Sequence, residues 1–351
     1  MLTHLPNRGE IQRMATMEEI AQKAGVSQAT VSRVINGSTS VSIETRQNVM
    51  QWIRKLDYQP NRTAQSLAKK QSYLLGMVLP DISNPYFAEV LKIIEQEANL
   101  NGYNIIFCNS GDNVQKEKHA INTLRSRQVD GMFIVPVEPD ATHLNTLRNS
   151  RIPVVAVTCD VDGFDSVAIS HQHGGALVAN HLLETGHTRI GYIGSRSEEK
   201  FQGFYDAFVK HGVVFSDAYV IELGKGSELP ESHEIHEKFS AFLKERERLD
   251  VSAFFVSTDL GAIIVSHILI EQGYRIPEDV AIVGFDNTFL AVEMRPTLTS
   301  VAQPIAEIGR LAVETLLERI TAQEIRENNI KIILEPYLMV RESTRKIARL
   351  A

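Results

Sequence analysis

From Leu74 to Gly284 the chain alternates short apolar runs with amphipathic stretches, and that rhythm restricts the fold more than any other feature. Strands are predicted at Leu74–Leu79, Tyr103–Phe107, Met132–Val135 and Pro153–Val157, with helices over Pro85–Leu100 and Val114–Arg127 between them. A second set follows, with predicted helices at Gly174–Thr185, Phe201–His211, Glu234–Glu247 and Leu260–Gln272. Its predicted strands lie at Ile190–Ile193, Tyr219–Leu223, Ala253–Val256 and Val280–Gly284. Strands that are apolar at every position are buried on both faces, as in parallel sheets covered by helices. Two such sets predict an α/β body of two lobes, each a doubly wound parallel sheet, with a ligand cleft beyond the carboxyl ends of the strands.

The first sixty residues follow another rule. Met17, Ile20, Ala21 and Ala24 fall at i, i+3, i+4 and i+7, one apolar stripe of a short helix. Gly25-Val26 can turn a corner, and Ser27 can cap a second helix, Gln28 to Ile35, whose inward face is Val31, Val34 and Ile35. This is helix-turn-helix spacing, in which the second helix enters the major groove N-terminus first. Gln28 can pair with adenine, Arg33 with guanine or a phosphate, and Ala29 can touch a thymine methyl. Ser27, Thr30 and Ser32 suit phosphate contacts or caps, and Asn36, at the helix end, completes the set of candidate contacts. The same pattern also fits two amphipathic helices of any small bundle.

Ser42 opens a third helix with Val49, Ile53 and Leu56 facing in, and Tyr58-Gln-Pro60 closes it. Asn61 to Ala68 is polar, helix-capable and too short to bury anything alone, so it should order only against a partner. Charge divides along the same line. The net charge of −7 is made of +5 in residues 1–72 and −12 in the remainder, which favours one end on DNA.

Val26-Ser-Gln-Ala-Thr-Val-Ser-Arg-Val34, Tyr58-Gln-Pro-Asn-Arg62 and Ala64-Gln-Ser-Leu67 resemble the DNA-binding and hinge segments of the lactose/galactose repressor family of bacterial transcription regulators. The resemblance implies a DNA-binding domain over residues 15–59, a hinge helix and linker over 60–72, and a two-lobed effector-binding and dimerisation core over 73–343. The hinge would fold when two subunits meet on the operator. Asn61 and Arg62 would touch DNA, and Leu67, with Ala64 beside it, would wedge into a minor-groove step. Such a wedge costs stacking energy but kinks the duplex onto more protein surface. An ordinary dimer contact is the other reading of Leu67.

Gly186-His-Thr-Arg-Ile-Gly-Tyr-Ile193, Glu278-Asp-Val-Ala-Ile-Val-Gly-Phe-Asp-Asn287 and Pro296-Thr-Leu-Thr-Ser-Val-Ala-Gln-Pro304 resemble the family's periplasmic-binding-protein-like core. That core implies three crossings between lobes, with a near lobe of about 73–170 and 301–330. The far lobe would take about 171–300 and 331–343, including a terminal strand Ile332 to Val340. By the same resemblance Asp81, Asn84, Tyr86 and Phe87 line the cleft after the first strand, and Asp286 contacts ligand, unless it caps the turn at Asn287 and Thr288. Ser170, Lys200 and Thr258 are further candidate ligand contacts, at positions where the chain departs from the family pattern. Lys200 stands where an arginine is common and gives a point charge without the planar fork, so it could meet an acid or phosphate or point into solvent.

No apolar run is long enough for a membrane span, and residues 1–10 lack a signal peptide's apolar core, so a cytoplasmic protein is expected. Residues 1–13 read as a mobile extension or as an upstream start. Cys108 and Cys159 end apolar runs and are expected to be buried thiols without a disulfide. His171, His173, His181 and His187 lack supporting ligands at metal spacing, and His233 and His236 lack the four-residue offset of a zinc-protease motif. The glycines at 191 and 194 lack the third glycine of a dinucleotide site. No catalytic constellation, metal or cofactor is expected. The composite expectation is a sequence-specific regulator, a repressor in the simplest case, bound as a homodimer to a pseudo-palindromic operator. By resemblance a carbohydrate or derivative is the default effector, as inducer or as corepressor, while Lys200, Ser170 and Thr258 leave a nucleobase, an acidic sugar or no ligand open. A tetramer would need a C-terminal apolar helix, for which residues 341–351 offer only Ile347 and Leu350. The competing reading is a doubly wound enzyme acting on a sugar or nucleotide.

Overall fold

A computed structural model describes residues 15–58, 71–111, 113–224, 231–322 and 328–344. The expected extension at 1–13, the hinge residues Asn61, Arg62, Ala64 and Leu67, and Ile347 and Leu350 lie outside the described residues. The chain divides into two compact units, residues 1–72 and 73–351.

The first unit holds α1 (Met17–Ala24), α2 (Gln28–Ile35) and α3 (Ile43–Lys55). A capping box fixes the start of α1, with Thr16 Oγ1 accepting from Glu19 N at 3.2 Å and Glu19 Oε2 accepting from Thr16 N at 3.0 Å. Gly25, at φ 68°, ends α1 in the left-handed region that glycine enters without a Cβ penalty. Ile20, Val31 and Val49 meet in a fully buried centre, while Ile53 and Leu56 are half-buried at its margin. Asn48 Nδ2 donates to Ala24 O at 2.9 Å, tying α3 to the end of α1.

The second unit contains two six-stranded sheets. The chain runs β1 (Leu74–Leu79), α4 (Pro85–Leu100), β2 (Asn104–Asn109), α5 (Val114–Ser126), β3 (Gly131–Ile134), β4 (Val154–Thr158) and β5 (Asp165–Ile169). It continues with α6 (His171–Glu184), β6 (Ile190–Gly194), α7 (Glu199–Lys210), β7 (Val220–Glu222), α8 (Glu231–Lys244), β8 (Ala253–Val256), α9 (Asp259–Glu271), β9 (Ala281–Asp286) and β10 (Thr299–Ala302). The last elements are α10 (Ile305–Thr321), β11 (Lys331–Leu334) and β12 (Tyr337–Met339). The first sheet has the order β11-β5-β4-β3-β1-β2 and is parallel throughout. The second is β12-β10-β9-β8-β6-β7, parallel except where β12 runs against β10. In both sheets the order reverses at the first strand of the set, between β1 and β3 and between β6 and β8, which is where open α/β sheets open a crevice.

The chain passes between the sheets three times, at Ser170, at Gln303-Pro304 and at Glu335-Pro336. The last of these corrects the expected assignment of residues 331–343. Ile332 to Val340 is not one strand of the far lobe. Lys331–Leu334 pairs with β5 in the first sheet, and Tyr337–Met339 pairs with β10 in the second. Pro336 has no N–H to extend a ladder, so the strand breaks there and the chain changes sheets. At the other boundary β10, which ends at Ala302, belongs wholly to the second sheet.

Helices α6 and α7 cross with their backbones almost in contact. A Cβ added at Gly175 would lie 1.8 Å from Lys200 O, and one at Gly203 would lie 1.8 Å from Gln172 O. This crossing holds the start of α7, and with it Lys200, against the start of α6 at Ser170. No helix among the described residues is long and apolar enough to cross a membrane.

Candidate effector cleft and DNA-reading helix

In the helical unit, α2 buries Val31 and Val34 and leaves Gln28, Ala29, Arg33 and Asn36 exposed. Ser27 is its N-cap, its Oγ accepting from Thr30 N at 3.2 Å and lying 2.9 Å from Thr30 Oγ1. Asn36 Nδ2 donates to Ser32 Oγ at 3.3 Å. Ser27, Thr30 and Ser32 are thus tied to the helix itself, while the side chains suited to base edges stand on its outer face. Lys23 and Lys55, at 6.0 and 4.8 Å from the Trp52 ring centroid, add positive charge to the same unit.

In the two-sheet unit, most of the predicted ligand residues do sit at strand ends, but several already hold other groups. Asp81 accepts from Ser83 N at 2.9 Å and Ser83 Oγ at 2.6 Å. Asn84 caps α4, its Oδ1 accepting from Tyr86 N at 3.0 Å. Ser170 caps α6 through His173 N at 3.2 Å, and Thr258 caps α9 through Gly261 N at 3.0 Å. Tyr86 is turned inward, 4% exposed, with Phe87 half-buried edge-on beside it at 5.3 Å. The Tyr86 hydroxyl donates to Gln303 Oε1 at 2.6 Å, and Gln303 Nε2 donates to Asp286 Oδ1 at 2.7 Å. The first helix of one sheet, the crossing segment Gln303-Pro304 and the end of β9 in the other sheet are therefore joined in one chain of hydrogen bonds. Burial, then the neighbouring Asp286, pushes the Tyr86 hydroxyl well above its ordinary pKa, so it remains a donor. A second bridge lies close by, Phe289 N donating to Glu89 Oε1 at 3.0 Å.

Asp286 and Asn287 have φ of 109° and 52°, an arrangement that L-residues adopt only when held. The holding group is Asp259, fully buried, which accepts from Thr288 N at 2.7 Å, Thr288 Oγ1 at 3.2 Å and Ser300 Oγ at 2.5 Å. Ser300 Oγ in turn accepts from Asn287 N at 3.0 Å. Burial pushes the Asp259 carboxyl up to about 7, and the hydrogen bonds from Ser300 and Thr288 pull against that rise.

Lys200 faces the switch point of the second sheet. Its Nζ donates to Ser257 O at 2.9 Å, lies 3.2 Å from Glu198 Oε2 and sits 4.6 Å from the centroid of Phe285. His171 stacks on the same ring at 5.9 Å with planes 13° apart. Burial first, then the Lys200 charge, lowers the His171 pKa to about 3, against a smaller upward pull from Ile169 O. A histidine whose folded pKa lies below its unfolded value near 6.5 contributes stability above that value and loses it as pH falls toward 3. Denaturant titrations should therefore show about 1 to 2 kcal/mol less stability at pH 5 than at pH 7, and His171→Gln should remove that part of the slope. An unchanged slope in the variant would assign the pH dependence elsewhere.

Cys108 and Cys159 carry no disulfide and are half-buried rather than buried, Cys108 within the edge strand β2 and Cys159 just after the end of β4. Burial, with Asp160, Glu199 and Glu117 nearby, pushes the Cys159 thiol up to about 12, which keeps it protonated and unreactive. No group of three His, Cys, Asp or Glu side chains among the described residues could hold a metal. Gln303, Glu89, His171, Phe285 and Asp259 were not anticipated as site residues. Phe285 and Gln303 fall inside the core motifs quoted above, but these roles depend on partners elsewhere in the chain, 217 residues away for Tyr86 and Gln303, so the local sequence does not show what each residue holds.

A small helix-turn-helix unit on the same chain as a two-sheet body with polar strand ends defines a DNA-binding transcription regulator. Residues 16–61 match the family model described as bacterial regulatory proteins, lacI family, and residues 179–344 match that of a periplasmic binding protein-like domain. Catabolite control protein A of Priestia megaterium is 34% identical over 325 residues, covering 90% of this chain and 96% of the relative. The lac repressor dimer bound to operator and an anti-inducer superposes with a TM-score of 0.82 at 25% identity, over 95% of this chain and 100% of that one. The transcriptional regulator CelR in complex with cellobiose superposes at 0.67 and 28% identity, over 94% and 100%. The chain belongs to the LacI family of bacterial transcription regulators.

Proposed function

We propose that this regulator acts in the cytoplasm as a repressor, bound as a homodimer to a pseudo-palindromic operator, with a carbohydrate seated between the carboxyl ends of the two sheets setting its affinity. The observation that carries the reading is α2, which presents Gln28, Ala29 and Arg33 outward on a capped helix while its other face builds the core of the unit. Two copies are needed because one short helix covers too few base pairs, and pairing two half-sites multiplies the discrimination. The operator-bound dimer and the cellobiose complex of the two related structures support the assembly and the ligand class.

Asn61, Arg62, Ala64 and Leu67 are assigned to the hinge over residues 60–72. Asp81, Asn84, Tyr86, Phe87 and Asp286 are assigned to the effector. A ligand hydroxyl that takes Asp286 from Gln303 also loosens Tyr86, which changes how the sheets are joined. Ligand then shifts the balance between two lobe arrangements by its differential affinity for them, and induction by release of DNA is the assigned sign.

Selection of operators from random duplexes tests the reading. A palindrome should be enriched by the intact protein, and Arg33→Ala should relax one position in each half-site at a cost of about 1–3 kcal/mol per contact. Leu67→Ala should weaken binding at the central step without altering the half-sites. Failure to enrich any sequence at moderate salt would overturn the reading.

A further inference from the structure

Lys200, the cation at the carboxyl ends of the second sheet, is already neutralised from within. Lys200 lies on the first turn of α7, a twelve-residue helix whose N-terminus carries a positive partial charge and opens at the carboxyl ends of β6 and β8. A cation at such a helix end is a ready phosphate or carboxylate site. Here the N-cap is Glu198, whose side chain makes no capping bond and instead places Oε2 3.2 Å from Lys200 Nζ. Glu199, the first residue of the helix, adds a second carboxylate to the same end. The remaining directions around Nζ are taken by Ser257 O and the face of Phe285. The Lys200 side chain is only 13% exposed, so its charge meets Glu198 in a partly desolvated setting where a carboxylate is hard to displace.

We propose that Glu198 is a specificity determinant that masks Lys200, so that the cleft admits an uncharged effector and excludes phosphorylated or acidic ones. An incoming phosphate must either displace Glu198 from Lys200 or sit beside two carboxylates at one helix end, and both cost more than the single lysine returns. A neutral polyol meets no such repulsion, and Asp286 and Asp81 can still accept from its hydroxyls. This inference rests on the reading of the cleft as the effector site.

The test uses the intact protein with inorganic phosphate, glucose 6-phosphate and glucose as probes, at constant ionic strength and pH 7.5. Binding is read by calorimetric titration and by the shift in thermal midpoint for the wild type, Glu198→Gln and Glu198→Gln/Lys200→Met. Phosphate and glucose 6-phosphate should leave the wild type unshifted. Glu198→Gln should bind both at least about tenfold more tightly, and the double variant should lose that gain. Glu198→Ser, which can cap α7 with a hydroxyl, repeats the test if the glutamine variant folds poorly. Lys200-dependent binding of either anion to the wild type, or no gain in Glu198→Gln and Glu198→Ser, overturns the proposal. Operator binding by the same proteins separates the two claims. A Lys200-dependent gain that never alters operator affinity leaves the masking intact and removes the cleft from the effector pathway.

Discussion

Gly203→Ala is expected to cost about 4 kcal/mol or more, enough to unfold most of the protein at 37 °C. The new methyl would lie 1.8 Å from Gln172 O and 2.6 Å from the carbon of the same carbonyl. Those are backbone atoms of α6, and a helix backbone cannot rotate aside as a side chain can. The two helices would have to part by more than an ångström, and Phe204, Phe208 and Val178, all buried along the same seam, would lose their close packing. Gly175→Ala meets Lys200 O at 1.8 Å and should be as damaging. The control is Gly224→Ala, whose added methyl meets only Glu234 Oε1 at 3.5 Å and should change stability by less than about 0.5 kcal/mol. Urea midpoints at pH 7 measure all three. If Gly203→Ala unfolds within 1 kcal/mol of the wild type, the crossing is looser than its geometry states. The crossing also matters for ligand specificity, because Lys200 precedes Gly203 by one helical turn, and anything that spreads α6 from α7 moves the Glu198–Lys200 pair with it.

Much of this fold was legible because most of its strands are apolar along most of their length. Ala253–Val256 and Leu74–Leu79 read as buried strands and pair within their sheets at the same residues. The strand Asp165–Ile169 was not read. It opens with Asp165 and Ser166, whose side chains are paired to Arg319 and Asp160, so its polarity is explained only by the tertiary structure. The missed change of sheet at Glu335-Pro336 has the same character, since a run of alternating exposure on an edge strand does not say which sheet it joins. At the site, the sequence singles out polar residues that follow strands, and Asn84, Ser170 and Thr258 among them carry the short side chains that helix caps also require; all three are caps. A cap and a ligand contact use the same oxygen chemistry, and the sequence does not separate them. The helical head was legible nearly to the residue, because caps, breakers and a 3.6-residue stripe are local signals. Gln303 stands in a recognisable core motif, but its role as the bridge between Tyr86 and Asp286 is visible only in the tertiary structure.

The second large effect concerns the segment that carries the chain back through the first sheet and out again. Asp165, 5% exposed at the start of β5, accepts from Arg319 Nε at 2.7 Å and from Arg319 Nη2 at 2.6 Å. The same carboxylate accepts from Ile330 N at 2.7 Å, while Arg319 Nη2 also donates to Asn328 O at 2.8 Å. One buried, two-pronged pair thus fastens α10 to β5 and seats the approach to β11, from which the third crossing departs. The hydrogen bonds that Arg319 donates to Asp165 raise its pKa further, and a guanidinium keeps its charge in a folded protein even without such a partner. Asp165→Ala therefore leaves a charged, largely buried guanidinium without its counter-ion and should cost about 3–5 kcal/mol. Arg319→Met strands the carboxylate instead and should cost a similar amount. The double variant Asp165→Ala/Arg319→Met removes both charges, and its cost should fall well below the sum of the two, since most of each single loss is the penalty of an unpaired buried ion. Arg310 and Glu314 on the outer face of α10 give the comparison, a pair with side chains 46% and 56% exposed. Glu314→Ala should cost less than about 1 kcal/mol. Urea unfolding of the four variants separates the cases. Equal costs for Asp165→Ala and Glu314→Ala would mean that β11 is held by its ladder to β5 alone, and additive costs in the double variant would mean that the two charges are solvated independently.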